Sequence, residues 1–242
     1  MTNLVRKTTT WPKVLLFGDS ITQFSFTTEG CWGSLLSDYL QRRCDVLARG
    51  FSGYNTRWCK VILPSILDTK LAKDTVAMTI FLGVNDSNSY ELNPRQHVPL
   101  DEYRQNLTEM INFAVSQGIN RESIILISPS AFDITTWAEE CRKKGKAVSK
   151  DNEVTSVYAK ACCSVAEEMG TKCVDLYSEM MKIEDYASYL SDGLHLSQKG
   201  SRLLFDQLQP IIENLTSKLP IVWFPFWDEV DLDNVEKSLL SS

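Results

Sequence analysis

Histidine is nearly absent from this chain, with two residues among 242, and the seven cysteines never occur as a C-x-x-C pair. The first scarcity means that any histidine acting as a base is His97 or His195. The second removes the usual spacing of a zinc or dithiol site, so no metal is expected. Long apolar runs are missing too: Val14 to Phe17, Ile124 to Ile127 and Ile221 to Phe224 fall far below the ~18 residues that cross a bilayer. Met1 to Pro12 carries Arg6 and Lys7 but no apolar core of a signal peptide, so a cytoplasmic location is expected. In that compartment Cys31, Cys44, Cys59, Cys141, Cys162, Cys163 and Cys173 are expected as free thiols, and the sequons at Asn106 and Asn214 carry no meaning. An excess of positive charge is also lacking, with 25 Lys and Arg against 31 Asp and Glu. Nucleic acid, whose binding rests on neutralised phosphates, is therefore not an expected partner.

What is present is a chain with enough apolar content for one substantial core, read as a single domain over 1–242. Short apolar runs alternate with longer amphipathic stretches, the pattern of strand and helix repeats around a parallel sheet. Five strands are expected, at Lys13 to Phe17, Asp45 to Arg49, Thr75 to Leu82, Ser123 to Ser128 and Cys173 to Leu176. Helices are expected at Trp32 to Arg43, Arg57 to Leu67, Leu100 to Gln117, Glu153 to Met169 and Ser197 to Asn214. Gly118 and Gly170 stand as C-caps, and Asp101 and Glu102 suit a helix start after Pro99. The implied fold class is a three-layer α/β/α sandwich on a five-stranded parallel sheet, with a core over about 13–216. Ser130 to Asp151, holding Trp137 and Arg142-Lys143-Lys144, breaks the repeat as a helical insertion or lid. The tail over 219–242 is aromatic and then acidic; it is expected to pack on the body or on a second copy, which makes a homodimer a second expectation.

In such sheets, ligands sit beyond the carboxyl ends of the strands. Ser20 follows the first strand, Ser52-Gly53 the second and Gly83-Val84-Asn85-Asp86 the third, so all three land on one edge. A serine hydroxyl attacks an acyl carbon only when a base takes its proton and a carboxylate orients that base. Asp192 and His195, three apart, supply both from one turn. Donors for an oxyanion are the backbone N–H of Ser20, the backbone N–H of Gly53 and the amide of Asn85. Asp19 is read as bonding backbone in its turn, and Asp86 as bracing the loop of Asn85. His97, the alternative base, has no carboxylate at matching spacing except Asp101 and is read as structural. Arg57 and Trp58 are read as packing and surface charge.

These four blocks, Gly18-Asp19-Ser20-Ile21, the Gly53 block, Gly83-x-Asn85-Asp86 and Asp192-x-x-His195, resemble in order and spacing those of the SGNH or GDSL hydrolase superfamily. The stretches Arg49 to Trp58, Gln96-His97-Val98-Pro99 and Leu190 to Leu196 resemble its isoamyl acetate-hydrolysing esterase subfamily. The resemblance runs from about Lys13 to Asn214. It implies a flavodoxin-like sheet and hydrolysis of small or medium acyl esters as small-molecule substrates, with no metal or organic cofactor. In that superfamily the serine, glycine, asparagine and histidine are the catalytic and oxyanion residues, which match Ser20, Gly53, Asn85 and His195. Acyl transfer to an alcohol through the same intermediate and a silent binding domain are the rival readings; a receiver-like domain lacks the clustered carboxylates for Mg²⁺.

Overall fold

The computed structural model describes residues 9–27 and 31–240. Strands β1 (Lys13–Gly18), β2 (Asp45–Gly50), β3 (Thr75–Phe81), β4 (Ile124–Ile127) and β5 (Lys172–Val174) form one sheet in the order β2-β1-β3-β4-β5. Every neighbouring pair is parallel. The helices are α1 (Ser20–Gln23), α2 (Trp32–Tyr39), α3 (Thr56–Ile62), α4 (Thr69–Asp74) and α5 (Leu100–Gln117), then α6 (Ile134–Lys143), α7 (Asn152–Met169), α8 (Leu176–Met181), α9 (Gln198–Thr216) and α10 (Val235–Leu240). Their arrangement is the expected α/β/α sandwich.

The central strands read as unbroken apolar runs because both their faces are covered. Val14 and Leu16 join Phe81, Ile125 and Ile127 beneath α2, α8 and α9. Leu15 and Phe17 point the other way, with Met78, Ile80 and Leu126, into a second core beneath α3, α5 and α7. All four of these β1 side chains are fully buried. A charge at any of them would meet packed hydrocarbon on either face, at a cost of several kcal/mol.

Several boundaries differ from the sequence reading, each for a local reason. The second helix stops at Tyr39 rather than Arg43, because Arg42 takes the left-handed conformation at φ 59°. The third stops at Ile62 rather than Leu67: Pro64 follows in a short 3₁₀ turn, and Asp68 then caps α4, which the sequence pattern did not separate. The last strand ends at Val174, since Asp175 accepts from the Ser178 N–H and starts α8, also unread in the sequence. Conversely, α9 runs straight through Pro210 to Thr216. Gly118 and Gly170 occupy left-handed C-caps as expected, at φ 113° and 65°.

The aromatic tail packs on its own chain. The Trp223 backbone and indole N–H groups donate to Arg42 O (3.0 Å) and Arg43 O (2.7 Å), and the Arg42 guanidinium lies 4.8 Å from the Phe226 ring. Trp227 stays exposed. Among the described residues no helix is long and apolar enough to cross a membrane.

Candidate active site

The turn after β1 is built by Asp19, whose carboxylate accepts from the Ile21 N–H (3.0 Å) and caps α1. Ser20 thereby becomes the first helical residue, so its N–H has no partner within the helix. Its hydroxyl faces Nε2 of His195 at 2.9 Å. On the far side of the imidazole, Nδ1 lies 2.8 Å from Asp192 Oδ2, while Asp192 Oδ1 accepts from the backbone N–H groups of Leu194 and His195 (3.0 and 2.8 Å). Burial alone would raise the Asp192 pKa. The hydrogen bond and charge of His195, with those two N–H groups, outweigh it and hold the carboxyl down to about 2. Asp192 is thus an anion at every ordinary pH, fixed as an acceptor toward Nδ1.

The His–Asp turn is not anchored to the end of a strand. An antiparallel bridge between Leu190 and Leu196 closes it, and Ser191 N donates to His195 O (2.8 Å). Gly193, at φ 83°, lets it approach α6: Asp133 N donates to Gly193 O (2.8 Å), and a Cβ there would stand 2.5 Å from Trp137 N. Phe24 and Trp137 pack edge-on against the imidazole, with ring centroids 5.7 and 6.4 Å away.

Gly53 lies in the turn after β2 at φ 80°, its carbonyl accepting from Gln96 Nε2 (2.8 Å) while its N–H bonds to no other group among the described residues. Asn85 follows β3. Its Nδ2 donates to Tyr54 O (2.9 Å), which spends one of two amide protons, and Gln96 Nε2 lies 3.4 Å from its Oδ1. Ser20, Gly53, Asn85 and His195 all line one cavity of about 730 Å³, walled on its far side by Trp137, Ser149 and Lys150 of the inserted segment. A smaller cavity of about 220 Å³ reaches the other side of His195 between Phe24 and Trp32.

Beneath this surface lies a buried charged group. Asp86 Oδ1 accepts from the backbone N–H of Thr56 (2.9 Å) and from the Thr56 hydroxyl, pinning the Asn85 loop to the start of α3. Burial pushes Asp86 up to about 7, with the Thr56 hydrogen bonds opposing it, and pushes Asp19 up to about 6. Lys150 sits with them, its ammonium donating to Val84 O, and burial pulls it down to about 8 against the attraction of both carboxylates.

His97 stands apart: its Nδ1 is 2.6 Å from Asn88 O and its ring packs on Tyr90. Arg57 is held by a bidentate pair with Glu102 (2.6 Å for each bond), whereas Trp58 lines the larger cavity beside Tyr54. Sequence reasoning missed Gly193, Phe24 and Lys150. Nothing in the linear pattern marks Lys150, which ends a basic stretch whose other members, Arg142, Lys143, Lys144 and Lys146, are exposed. Among the described residues no three His, Cys, Asp or Glu side chains converge as metal ligands.

The model of the GDSL-like lipase/acylhydrolase family matches residues 14–208. The chain is 49% identical over 231 residues to the human isoamyl acetate-hydrolyzing esterase 1 homolog, the match covering 95% of this chain and 92% of that protein. It is 35% identical over 214 residues to an isoamyl acetate-hydrolyzing esterase of Saccharomyces cerevisiae, covering 84% of this chain and 87% of the yeast protein. Among solved structures, a lipase/acylhydrolase from Enterococcus faecalis superposes with a TM-score of 0.65 at 23% identity, over 86% of this chain and 97% of that one, a likeness of fold. With the family match spanning most of its length and relatives of this identity covering nearly all of it, the chain belongs to the GDSL-like lipase/acylhydrolase family.

Proposed function

We propose that this protein hydrolyses carboxylic esters of small to medium acyl groups, acetyl esters of small alcohols such as isoamyl acetate foremost, through an acyl-serine intermediate. The observation that carries the reading is the unbroken hydrogen-bonded line from Ser20 Oγ through His195 to Asp192. His195 Nε2 accepts the Ser20 proton as Oγ bonds to the ester carbon. The carbonyl oxygen then becomes an oxyanion, received by the N–H groups of Ser20 and Gly53 and the unspent amide proton of Asn85. Collapse expels the alcohol, which leaves with the proton from His195. Water, deprotonated by the same nitrogen, attacks the acyl-serine, frees the acid and restores Ser20. Asp192 stays ionised throughout, holding the imidazole in the tautomer that accepts at Nε2.

Support for the acetyl-ester preference comes from the relatives, which are named for isoamyl acetate hydrolysis. The seven cysteines, all free thiols, support a reducing compartment such as the cytosol. One domain is taken to carry the activity.

The test combines a fluorophosphonate probe with an ester series. Peptide mapping is expected to find the label on Ser20, and Ser20→Ala is expected to lower kcat on the order of 10⁴- to 10⁶-fold. Across p-nitrophenyl acetate to octanoate, kcat/KM is expected to fall toward the longest chain, with isoamyl acetate turned over. Folded protein that leaves Ser20 unlabelled overturns the mechanism; a maximum at octanoate overturns the acyl preference alone.

A further inference from the structure

A buried lysine at the wall of the proposed ester-cleaving site needs a reason, because taking an ammonium out of water is costly and an uncharged donor could bond a carbonyl more cheaply. Lys150 is 6% exposed and lies just before α7, at the end of the inserted segment. Its ammonium donates to Val84 O. That carbonyl belongs to the peptide unit joining Val84 to Asn85, and since a peptide unit is planar, holding its oxygen also holds the Asn85 nitrogen and the direction of the Cα that follows.

The next peptide unit is held from the same segment. Asn85 O accepts from Asn88 Nδ2 (2.7 Å), Asn88 Oδ1 accepts from Ser149 Oγ (2.6 Å), and Ser149 O accepts from Ser89 N (2.7 Å). Two consecutive residues, Ser149 and Lys150, thus fasten the backbone on both sides of Asn85. The charge itself faces Asp19 and Asp86, the buried neighbours in sequence of Ser20 and Asn85.

We propose that Lys150 is a positioning residue for ester hydrolysis: by its bond to Val84 O it fixes the turn that aims the Asn85 amide, and it reaches the transition state only through Asn85. The inference rests on the reading of Asn85 as an oxyanion donor. Such a donor acts on charge that exists only in the transition state, so a loosened turn lowers kcat and leaves substrate binding almost untouched. A lysine serving stability alone would shift the melting temperature and leave the kcat of folded enzyme as it was.

The experiment is a double-mutant cycle with p-nitrophenyl acetate on variants shown to be folded by circular dichroism at the assay temperature. Asn85→Ala is expected to lower kcat about 10²- to 10³-fold and Lys150→Met about 10- to 100-fold, with KM within about threefold of wild type. In the Asn85→Ala background, Lys150→Met should cost less than about a further threefold. Lys150→Arg, which keeps the charge and a donor, should recover most of kcat. Wild-type kcat in folded Lys150→Met, or a loss that multiplies in full with Asn85→Ala, overturns the proposal. If Lys150→Met does not fold, Lys150→Gln, which keeps a shorter uncharged donor, takes its place: a kcat loss of about 3- to 10-fold that vanishes in the Asn85→Ala background is expected, and unchanged kcat overturns the proposal. The two readings separate cleanly. A slow Asn85→Ala enzyme beside a normal Lys150→Met enzyme ends only the tether, whereas a fully active Asn85→Ala enzyme ends the oxyanion assignment itself.

Discussion

The two halves of the site are held in place by different means. Ser20, Gly53 and Asn85 follow the ends of β1, β2 and β3, so the register of adjacent parallel strands delivers them to one edge. The turn from Asp192 to His195 follows no strand. It holds its own shape through the Leu190–Leu196 bridge and the Asp192 hydrogen bonds, and its place comes from contact with α6 through Gly193. In the strand-end half Ser20 and Asn85 are buried and Gly53 is half-buried, with Asp19, Asp86 and Lys150 close by; in the turn, the Asp192 and His195 side chains each keep 24% exposure. In the proposed mechanism the oxyanion donors are thus held at the ends of the strands, while the base, which would exchange protons with alcohol and water, sits nearer solvent.

The largest effect that tests this contrast separates the two histidines. His195→Ala is expected to lower kcat on the order of 10⁴- to 10⁶-fold, and His97→Ala no more than about tenfold, measured on p-nitrophenyl acetate. Equal losses in folded proteins would move the base to the wrong half of the site.

A smaller effect probes how the turn is docked. Gly193→Ala must place a Cβ against the backbone of α6 at a positive φ, so a destabilisation of about 1–3 kcal/mol and a clear drop in kcat are expected together. Urea titration and steady-state kinetics read both. An unchanged midpoint would show that the turn does not depend on α6.

An effect read on stability alone, with no change in kcat required, concerns the buried carboxylates of the sheet half. Asp86 has a folded pKa of about 7, above its value of 3.8 in the unfolded chain, so the folded state binds its proton more tightly. Its contribution to stability is full below pH 3.8 and is lost as pH rises through about 7, one pKa unit being worth about 1.4 kcal/mol. Asp86→Asn keeps an oxygen for Thr56 but cannot ionise. Relative to wild type, it is expected to gain stability between pH 4 and pH 7.5 in urea titrations. A constant difference across that range would show that Asp86 titrates normally.

Much of this was legible before folding was considered. The central strands show as apolar runs because they are covered on both faces, and the polar residues that end those runs, Ser20 and Asn85 among them, are therefore at the sheet edge. Helix ends at Gly118 and Gly170 were equally plain. The small helices α4 and α8 were not, because each is a few residues long and depends on a cap, Asp68 or Asp175, that looks like any loop aspartate. Asp19 and Asp86 could be seen as turn residues, but their shared burial with a lysine from 131 or 64 positions away could not.

Local pattern alone settles the strand sequence, the residue types at the strand ends and the pairing of Asp192 with His195, because each depends on side chains a few positions apart. The meeting of His195 with Ser20 spans 175 positions and was decided by the bridge that closes the turn and by the contact of Gly193 with α6. The same holds for Gly193 against α6 and for Lys150 against Val84 O. Such contacts have no spacing to read, since their geometry exists only once the layers have closed and water has been excluded from between them.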